Sequence, residues 1–352
     1  MEIVQTAQRA PRIWAISDGL AGNAVQARAL ADAVARRTGA TVEERLAQPR
    51  KPYDRLPAGL WAAFGAREGG WPFTGLADGG AGLARPWPDL VIGAGRRCAP
   101  AVAALRRLGG MPAVQIMDPG MRRAAFDLIV APRHDRLSGD TVVETLGALN
   151  GLDDATLAAE ADRWRPRLRH IPEPRVAVLV GGPSRSSDFT ARGLQRLTDG
   201  LTRLAIEGAG LMVTPSRRTP RAAVDKLADA LTGLGGWVWS GVGDNPYPGI
   251  LGLADAVVVT ADSVNMCSEA AASGKPLFVA PMGRVDAKIA RFHGDLAACG
   301  AARPFDGEIA LWRYAPLREA DRVAERAAAL LAPRDAAAWP ATSEGLDGGG
   351  RN

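Results

Sequence analysis

The sequence predicts an α/β protein made of two Rossmann-like domains that face each other across a cleft. Three observations carry that expectation. Short apolar runs alternate with helical patterns along the chain, as parallel sheets covered on both faces require. The run Pro172, Glu173, Pro174 interrupts the alternation near its middle, where no helix can continue. The chain has 352 residues, more than one core usually serves.

Taken in order, "RIWAIS" (12–17) reads as a buried first strand and "DGLAGN" (18–23) as a glycine turn. "AVQARALADAVARRTG" (24–39) has apolar residues near helical spacing and Gly39 as a stop, and "TVEERL" (41–46) is a second strand. Residues 49–88 differ, with prolines at 49, 52, 57, 72, 86 and 88 and the aromatics Trp61, Phe64, Trp71, Phe73 and Trp87. A short helix near 56–67 and then a long loop are expected there, and such loops are functional or disordered. Strand 89–95, a helix over about 98–108 and short strands at 113–119 and 126–132 follow, and 141–150 closes the first half.

Residues 151–174 form a charged linker helix and hinge. "VAVLV" (176–180) opens a second set of units: strands 210–214, 236–240, 255–260 and 276–280, and helices 189–207, 219–232 and 264–273. A last pair of helices is expected near 286–299 and 317–333. The predicted organisation is therefore a first Rossmann-like domain (1–150), the linker (151–174), a second Rossmann-like domain (175–316), and a C-terminal helix packing back before a frayed tail (317–352).

Hydrophobic residues make up 47% and charged residues 23% of the chain, ordinary for a globular protein. The net charge of +5 is mostly arginine. Arginine bias with abundant Ala and Gly follows from GC-rich coding as well as from affinity for phosphates or an anionic membrane. The local excess between Arg96 and Arg136, eight arginines against Asp118, Asp127 and Asp135, favours the latter. Cys98, Cys267 and Cys299 are far apart without a CxxC, so no disulfide framework or zinc site is expected, which fits a reducing cytosol. The start lacks a basic segment followed by a long apolar run, and no 18-residue apolar stretch occurs. A cytoplasmic chain is expected, peripheral on the inner face of the membrane.

The chemistry should lie where strands end. After the 176–180 strand come Gly181, Gly182 and Ser184; after 210–214 come Arg217 and Arg218; and "GDNPYPG" (243–249) holds Asn245 and Tyr247. After 255–260 comes "TADSVNMCSEA", with Asp262, Ser263, Asn265, Met266 and Glu269. Glycine amides approach anions closely, arginine forks suit phosphate oxygens, and a helix starting after Ser263 offers unsatisfied N–H groups. Ser263 also suits a helix N-cap, and Asp262 a cap rather than a ligand contact. Glu269 suits a ribose diol or merely complements the helix dipole. In the first half, Asp18, Asp118, His134 and Asp135 end predicted strands, and Asp18 and His134 are the candidate catalytic bases. There is no P-loop, no GxGxxG after the first strand and no metal-binding spacing.

Several stretches carry a resemblance: "ISDGLAGNAVQARALA" (16–31), "QIMDPG" (115–120), "FDLIVAPRHD" (126–135), "SRRTP" (216–220), "NPYPGIL" (245–251) and "TADSVNMCSEAAASGKP" (260–276). In this order they resemble the plant elongated-mitochondria fission-factor family and its bacterial homologues. More remotely, "SEAAASGKP" is similar to the nucleotide-sugar end of GT-B glycosyltransferases. That resemblance implies a nucleotide-diphospho-sugar in the second half, an acceptor in the first, and no obligatory metal. It implies that Glu269 binds the ribose, and that the backbone at 263–266 and at Gly181 and Gly182 holds the diphosphate. Arg217 or Arg218 would neutralise it, with the loop near Asn245 beside the base.

The expected function is sugar transfer to a lipid-linked or cell-envelope acceptor. The arginine-rich 96–136 region and the aromatic 56–88 segment would dock on an anionic membrane. A nucleotide-sugar epimerase on the same fold and a non-catalytic adaptor are the alternatives; nucleic acid is not an expected partner.

Overall fold

The computed structural model describes residues 9–332. Two six-stranded sheets, parallel throughout, form its two halves. The first contains Arg12–Ser17 (β1), Thr41–Leu46 (β2), Leu90–Ala94 (β3), Ala113–Ile116 (β4), Leu128–Pro132 (β5) and Val142–Thr145 (β6), in the order β2-β1-β3-β4-β5-β6. The second contains Arg175–Val180 (β7), Gly210–Pro215 (β8), Trp237–Val238 (β9), Ala256–Thr260 (β10), Leu277–Ala280 (β11) and Ala302–Pro304 (β12), in the order β12-β11-β10-β7-β8-β9. The chain winds outward from β7 in one direction and from β10 in the other. The loops after these two neighbouring strands therefore flank the switch point, where open α/β sheets leave a crevice.

Central strands are buried on both faces, which explains their continuous apolar runs: every residue of β3, β10 and β11 is buried. Helices Ala21–Thr38 (α1), Ala58–Ala63 (α2) and Ala99–Gly109 (α3) belong to the first half. Gly39 ends α1 in the left-handed region at φ 68°, as the sequence indicated. Asp154–Leu168 (α4) follows β6 with Asp153 as its N-cap. The second half adds Ala191–Ile206 (α5), Arg221–Leu231 (α6), Tyr247–Leu253 (α7), Val264–Ala272 (α8) and Ala287–Ala298 (α9).

The last helix, Glu319–Ala329 (α10), returns to the first half and packs on α1. Its Ala320, Val323, Ala324 and Ala327 share one buried cluster with Ile13, Leu30 and Val34. Arg36 pairs with Asp321 at 2.7 Å. The expected frayed tail lies outside the described residues.

Four sequence expectations change. The 49–88 segment is not an open loop: Trp61, Phe73, Leu76 and Leu83 are buried with Trp14 and Ile16. The 236–240 strand shrinks to two paired residues, and β12 was not foreseen. Residues 243–249, expected as a loop, instead lead into α7. Pro246 and Pro248 suggest a turn, but both stand at the helix start, where proline costs no hydrogen bond. Gly249 and Gly252 let α7 lie against α4, since a Cβ would come within 2.3 Å of Trp164 Cδ1 and of the Leu157 carbonyl oxygen, respectively.

That close approach fixes an expected outcome. Alanine is the better helix former by about 1 kcal/mol, yet overpacking costs about 1–3 kcal/mol. Gly252→Ala should therefore lower the thermal midpoint rather than raise it, because the backbone oxygen it meets cannot rotate away.

Candidate functional site

The site begins with one buried carboxylate. Asp262 follows β10, and its side chain is fully buried. Its Oδ2 accepts from the Gly182 amide at 2.9 Å and from Arg218 Nη2 at 3.0 Å, and its Oδ1 from the Thr260 hydroxyl at 2.7 Å. Thr260 Oγ1 in turn accepts from the Gly181 amide at 2.7 Å. Arg218 also donates to the Gly182 carbonyl at 2.9 Å. Ends of β7, β8 and β10 are thereby tied into one network.

This corrects the expected role of the glycines. The amides of Gly181 and Gly182 are already donated within the protein, so this geometry does not leave them for a diphosphate. A Cβ at Gly181 would lie 2.1 Å from Asp262, and one at Gly182 would lie 2.1 Å from the Arg218 carbonyl oxygen. Both glycines answer to that packing. Asp262 likewise acts as an internal tie, its lone pairs spent on protein donors.

Around this tie lies a cleft of about 720 Å³ lined by Ser184, Ser216, Arg217, Arg218, Ser263–Met266 and the start of α9, with Gly22 opposite. Ser263 caps α8, its Oγ accepting from the Met266 amide at 3.3 Å. Among the described residues the amides of Val264 and Asn265 have no hydrogen-bond partner, as is usual for first-turn amides of a helix. They leave a positive end toward the cleft. Arg217 is exposed and has no acidic partner among the described residues. Ser184 bonds Ser187 Oγ at 2.8 Å, and the loop is held against the approach to α9 by the Asp188 amide to the Arg284 carbonyl at 2.8 Å. Gly22 leaves room for Asn265, whose Nδ2 would lie 2.6 Å from a Cβ there.

Glu269 stands one turn beyond Asn265 on the same helical face. Its Oε2 accepts the Tyr247 hydroxyl at 2.5 Å. Burial pushes its carboxyl up to about 7, with the Tyr247 hydrogen bond acting in the opposite direction. Burial, then the Glu269 charge, pushes the Tyr247 phenol well above its ordinary value. Asn245 serves locally: Oδ1 accepts from the Tyr247 amide at 3.1 Å.

The first-half candidates are placed otherwise. Asp18 is buried and holds its own turn, accepting from the Leu20 amide at 3.2 Å and Asn23 Nδ2 at 2.8 Å. Asp118 pairs with Arg96 at 2.9 Å. His134 is buried edge-on to Phe292 and lines a separate pocket with Arg133, Arg136 and Arg291. Burial lowers its pKa, opposed by Asp135. Asp18 and His134 do not line the cleft, and neither do Gly181, Gly182, Asn245, Tyr247 or Glu269, the last of which is tied to it through Asn265 one turn earlier on α8.

Asp135 instead pairs with Lys288, across the two halves. Lys288 and Asp286, at the start of α9, line the cleft and were missed in the sequence. The Asp286 N-cap, accepting from the Ile289 amide at 2.8 Å, was the available signal.

The family description "Mitochondrial fission ELM1" matches residues 21–331. The chain belongs to this family. It is 32% identical over 279 residues to "Mitochondrial fission protein ELM1" of Arabidopsis thaliana, covering 70% of this chain and 65% of that relative. It therefore spans about two thirds of the plant relative's length. An uncharacterized protein of Rickettsia prowazekii (strain Madrid E) is 29% identical over 282 residues, covering 68% of this chain and 78% of that one.

Among solved structures, UDP-GlcNAc 2-epimerase from Methanocaldococcus jannaschii superposes with a TM-score of 0.53 at 12% identity. It covers 90% of this chain and 99% of that one. A structure of that enzyme in complex with UDP-GlcNAc and UDP gives 0.51 at 11% identity, with the same coverage. At such identities the likeness is one of fold, the two-domain GT-B-like architecture.

Two outcomes follow for this family member. Asp262→Ala strands the Gly182 amide and the Thr260 hydroxyl, and should cost about 1–3 kcal/mol in chemical denaturation. Glu269 holds its proton longer folded than unfolded, so its contribution to stability falls as pH rises from 4.5 through about 7. Glu269→Gln should remove that slope: its thermal midpoint should gain on the wild type between pH 5 and pH 8.

Proposed function

We propose that the cleft binds a nucleoside diphosphate sugar and that the protein transfers the sugar to an acceptor hydroxyl. The observation that carries this reading is the meeting of the α8 N-terminus and Arg217 on one cleft, beside Arg218 and Lys288 in their ion pairs with Asp262 and Asp135, with Glu269 one turn beyond Asn265. Helix amides and cations offset a diphosphate both when bound and when leaving. A carboxylate past the phosphate site suits a ribose diol, which phosphate-binding groups do not. The departing charge needs no metal in this arrangement, because helix amides and fixed cations already face it.

The Methanocaldococcus enzyme of the same fold was solved with UDP-GlcNAc and UDP, which supports a nucleotide sugar as the ligand class. It also supports the second reading, epimerisation of such a sugar without transfer. In either case Glu269 holds the ribose when ionised, so affinity rises as pH passes about 7.

A thermal-shift panel of UDP, GDP, ADP and CMP compounds tests the reading. A ligand at a hundredfold excess over Kd should add about 2.7 kcal/mol of apparent stability. Arg217→Ala and Glu269→Ala should each weaken the binding about tenfold, for a lost charge-assisted hydrogen bond. No stabilisation by any nucleotide would sink both enzyme readings. With binding established, transfer, a changed sugar epimer or an unchanged ligand separates transferase, epimerase and adaptor.

A further inference from the structure

Helix α2 buries Ala58 and Trp61. Behind it the aromatics form a rigid platform: Trp61 lies 4.6 Å from Trp71, Trp71 Nε1 donates to the Trp61 carbonyl at 2.7 Å, and Trp61 Nε1 donates to the Tyr53 carbonyl at 3.1 Å. On the outer side stand Leu56, Leu60 and Phe64, four residues apart and 38%, 50% and 71% exposed. Leu60 lies on α2 and Phe64 at its C-cap, while Leu56 precedes them in the extended link before the helix. Single exposed apolar residues are ordinary, but three within nine residues make a ridge.

Cationic clefts flank this ridge. One, of about 520 Å³, is lined by Trp61, Ala104 and Met121 with Arg106, Arg107 and Arg122. Another, of about 220 Å³, is lined by Tyr53 and Leu56 with Arg96 and Arg97. Arg106 is bound to Asp127 and Arg96 to Asp118. Exposed Arg97, Arg107 and Arg122 have no acidic partner among the described residues, nor do Arg55 and Arg67 just beyond its two ends. Of nearby acids, Glu68 pairs with Arg85 and Asp54 is half-buried.

We propose that this face docks on an anionic lipid bilayer. Leu56, Leu60 and Phe64 enter the headgroup boundary, while Arg97, Arg107 and Arg122 reach lipid phosphates. Among the described residues no helix is long and apolar enough to cross a membrane. An interfacial contact asks less: an apolar ridge and several cations on one rigid body. Only part of the 56–88 segment takes part, because Trp61 and Phe73 are buried in the core. The face shares no residue with the cleft, so the proposal stands apart from any sugar chemistry. Five unpaired arginines around three apolar side chains match a field of phosphates better than a single acidic peptide.

Co-sedimentation of the full chain with vesicles tests it, using phosphatidylcholine alone and phosphatidylcholine with about one third phosphatidylglycerol. Binding is expected to the mixed vesicles and at least about tenfold weaker without the anionic lipid. Arg107→Ala with Arg122→Ala should lower partitioning about 25-fold, near fivefold per charge. Leu60→Ser with Phe64→Ser should lower it about tenfold or more, with an unchanged circular dichroism spectrum. Equal binding to both vesicles, binding to neither, or indifference to both pairs of substitutions would overturn the proposal. So would a dimer that becomes monomeric in Leu60→Ser with Phe64→Ser while vesicles go unbound, which would assign the ridge to a second copy.

Discussion

The buried carboxylate of Asp262 is the constraint on which the second half's working edge depends. Three strands end side by side because of the winding order, but their loops differ in length and have no reason to share a conformation. One acid makes them share it. It takes an amide from the loop after β7, a guanidinium from the loop after β8 and a hydroxyl from β10. An acid at the centre of an anion site looks misplaced until its partners are counted. Its charge is met by Arg218 and two neutral donors, so the field facing the cleft comes from the α8 N-terminus and Arg217.

The helices that present their N-termini to the cleft also hold the two halves together. Ser268 of α8 accepts the Ala148 amide at 2.9 Å, and a Cβ at Gly147 would fall 2.4 Å from its Oγ. From α9, Lys288 meets Asp135 and Arg291 Nη2 donates to the His134 carbonyl at 3.1 Å. Inter-half contacts and cleft walls are thus the same two elements. His134, read as a base, spends its surroundings on that junction: its ring packs on Phe292, and its carbonyl receives Arg291.

The fold was largely legible because its signals are periodic and local. β1 and β2 fall on the expected residues, and Ser263 reads as a cap and is one. The losses occurred where tertiary contact reverses a local sign. Gly249 reads as a loop residue, yet it serves helix packing. Gly181 and Gly182 read as anion-binding amides, yet those amides are spent on Thr260 and Asp262. A strand end does not say which way its side chain faces, which is why Asp18 and His134 stood beside Glu269 in the sequence yet spend their polar atoms elsewhere in the fold, Asp18 on its own turn and His134 at a separate pocket. Tyr247 was placed beside the base, whereas its hydroxyl meets Glu269; no spacing rule links positions 22 residues apart.

The return of α10 to the first sheet has a consequence for biosynthesis. The apolar face of α1 is closed by Ala320, Val323, Ala324 and Ala327, which leave the ribosome some 300 residues after Leu30. Nascent chains usually fold domain by domain from the N-terminus. Here the first-made half must keep that stripe uncovered while the entire second half is synthesised. The helix layer over its first sheet is completed last, and the interval is one in which a chaperone has something to hold.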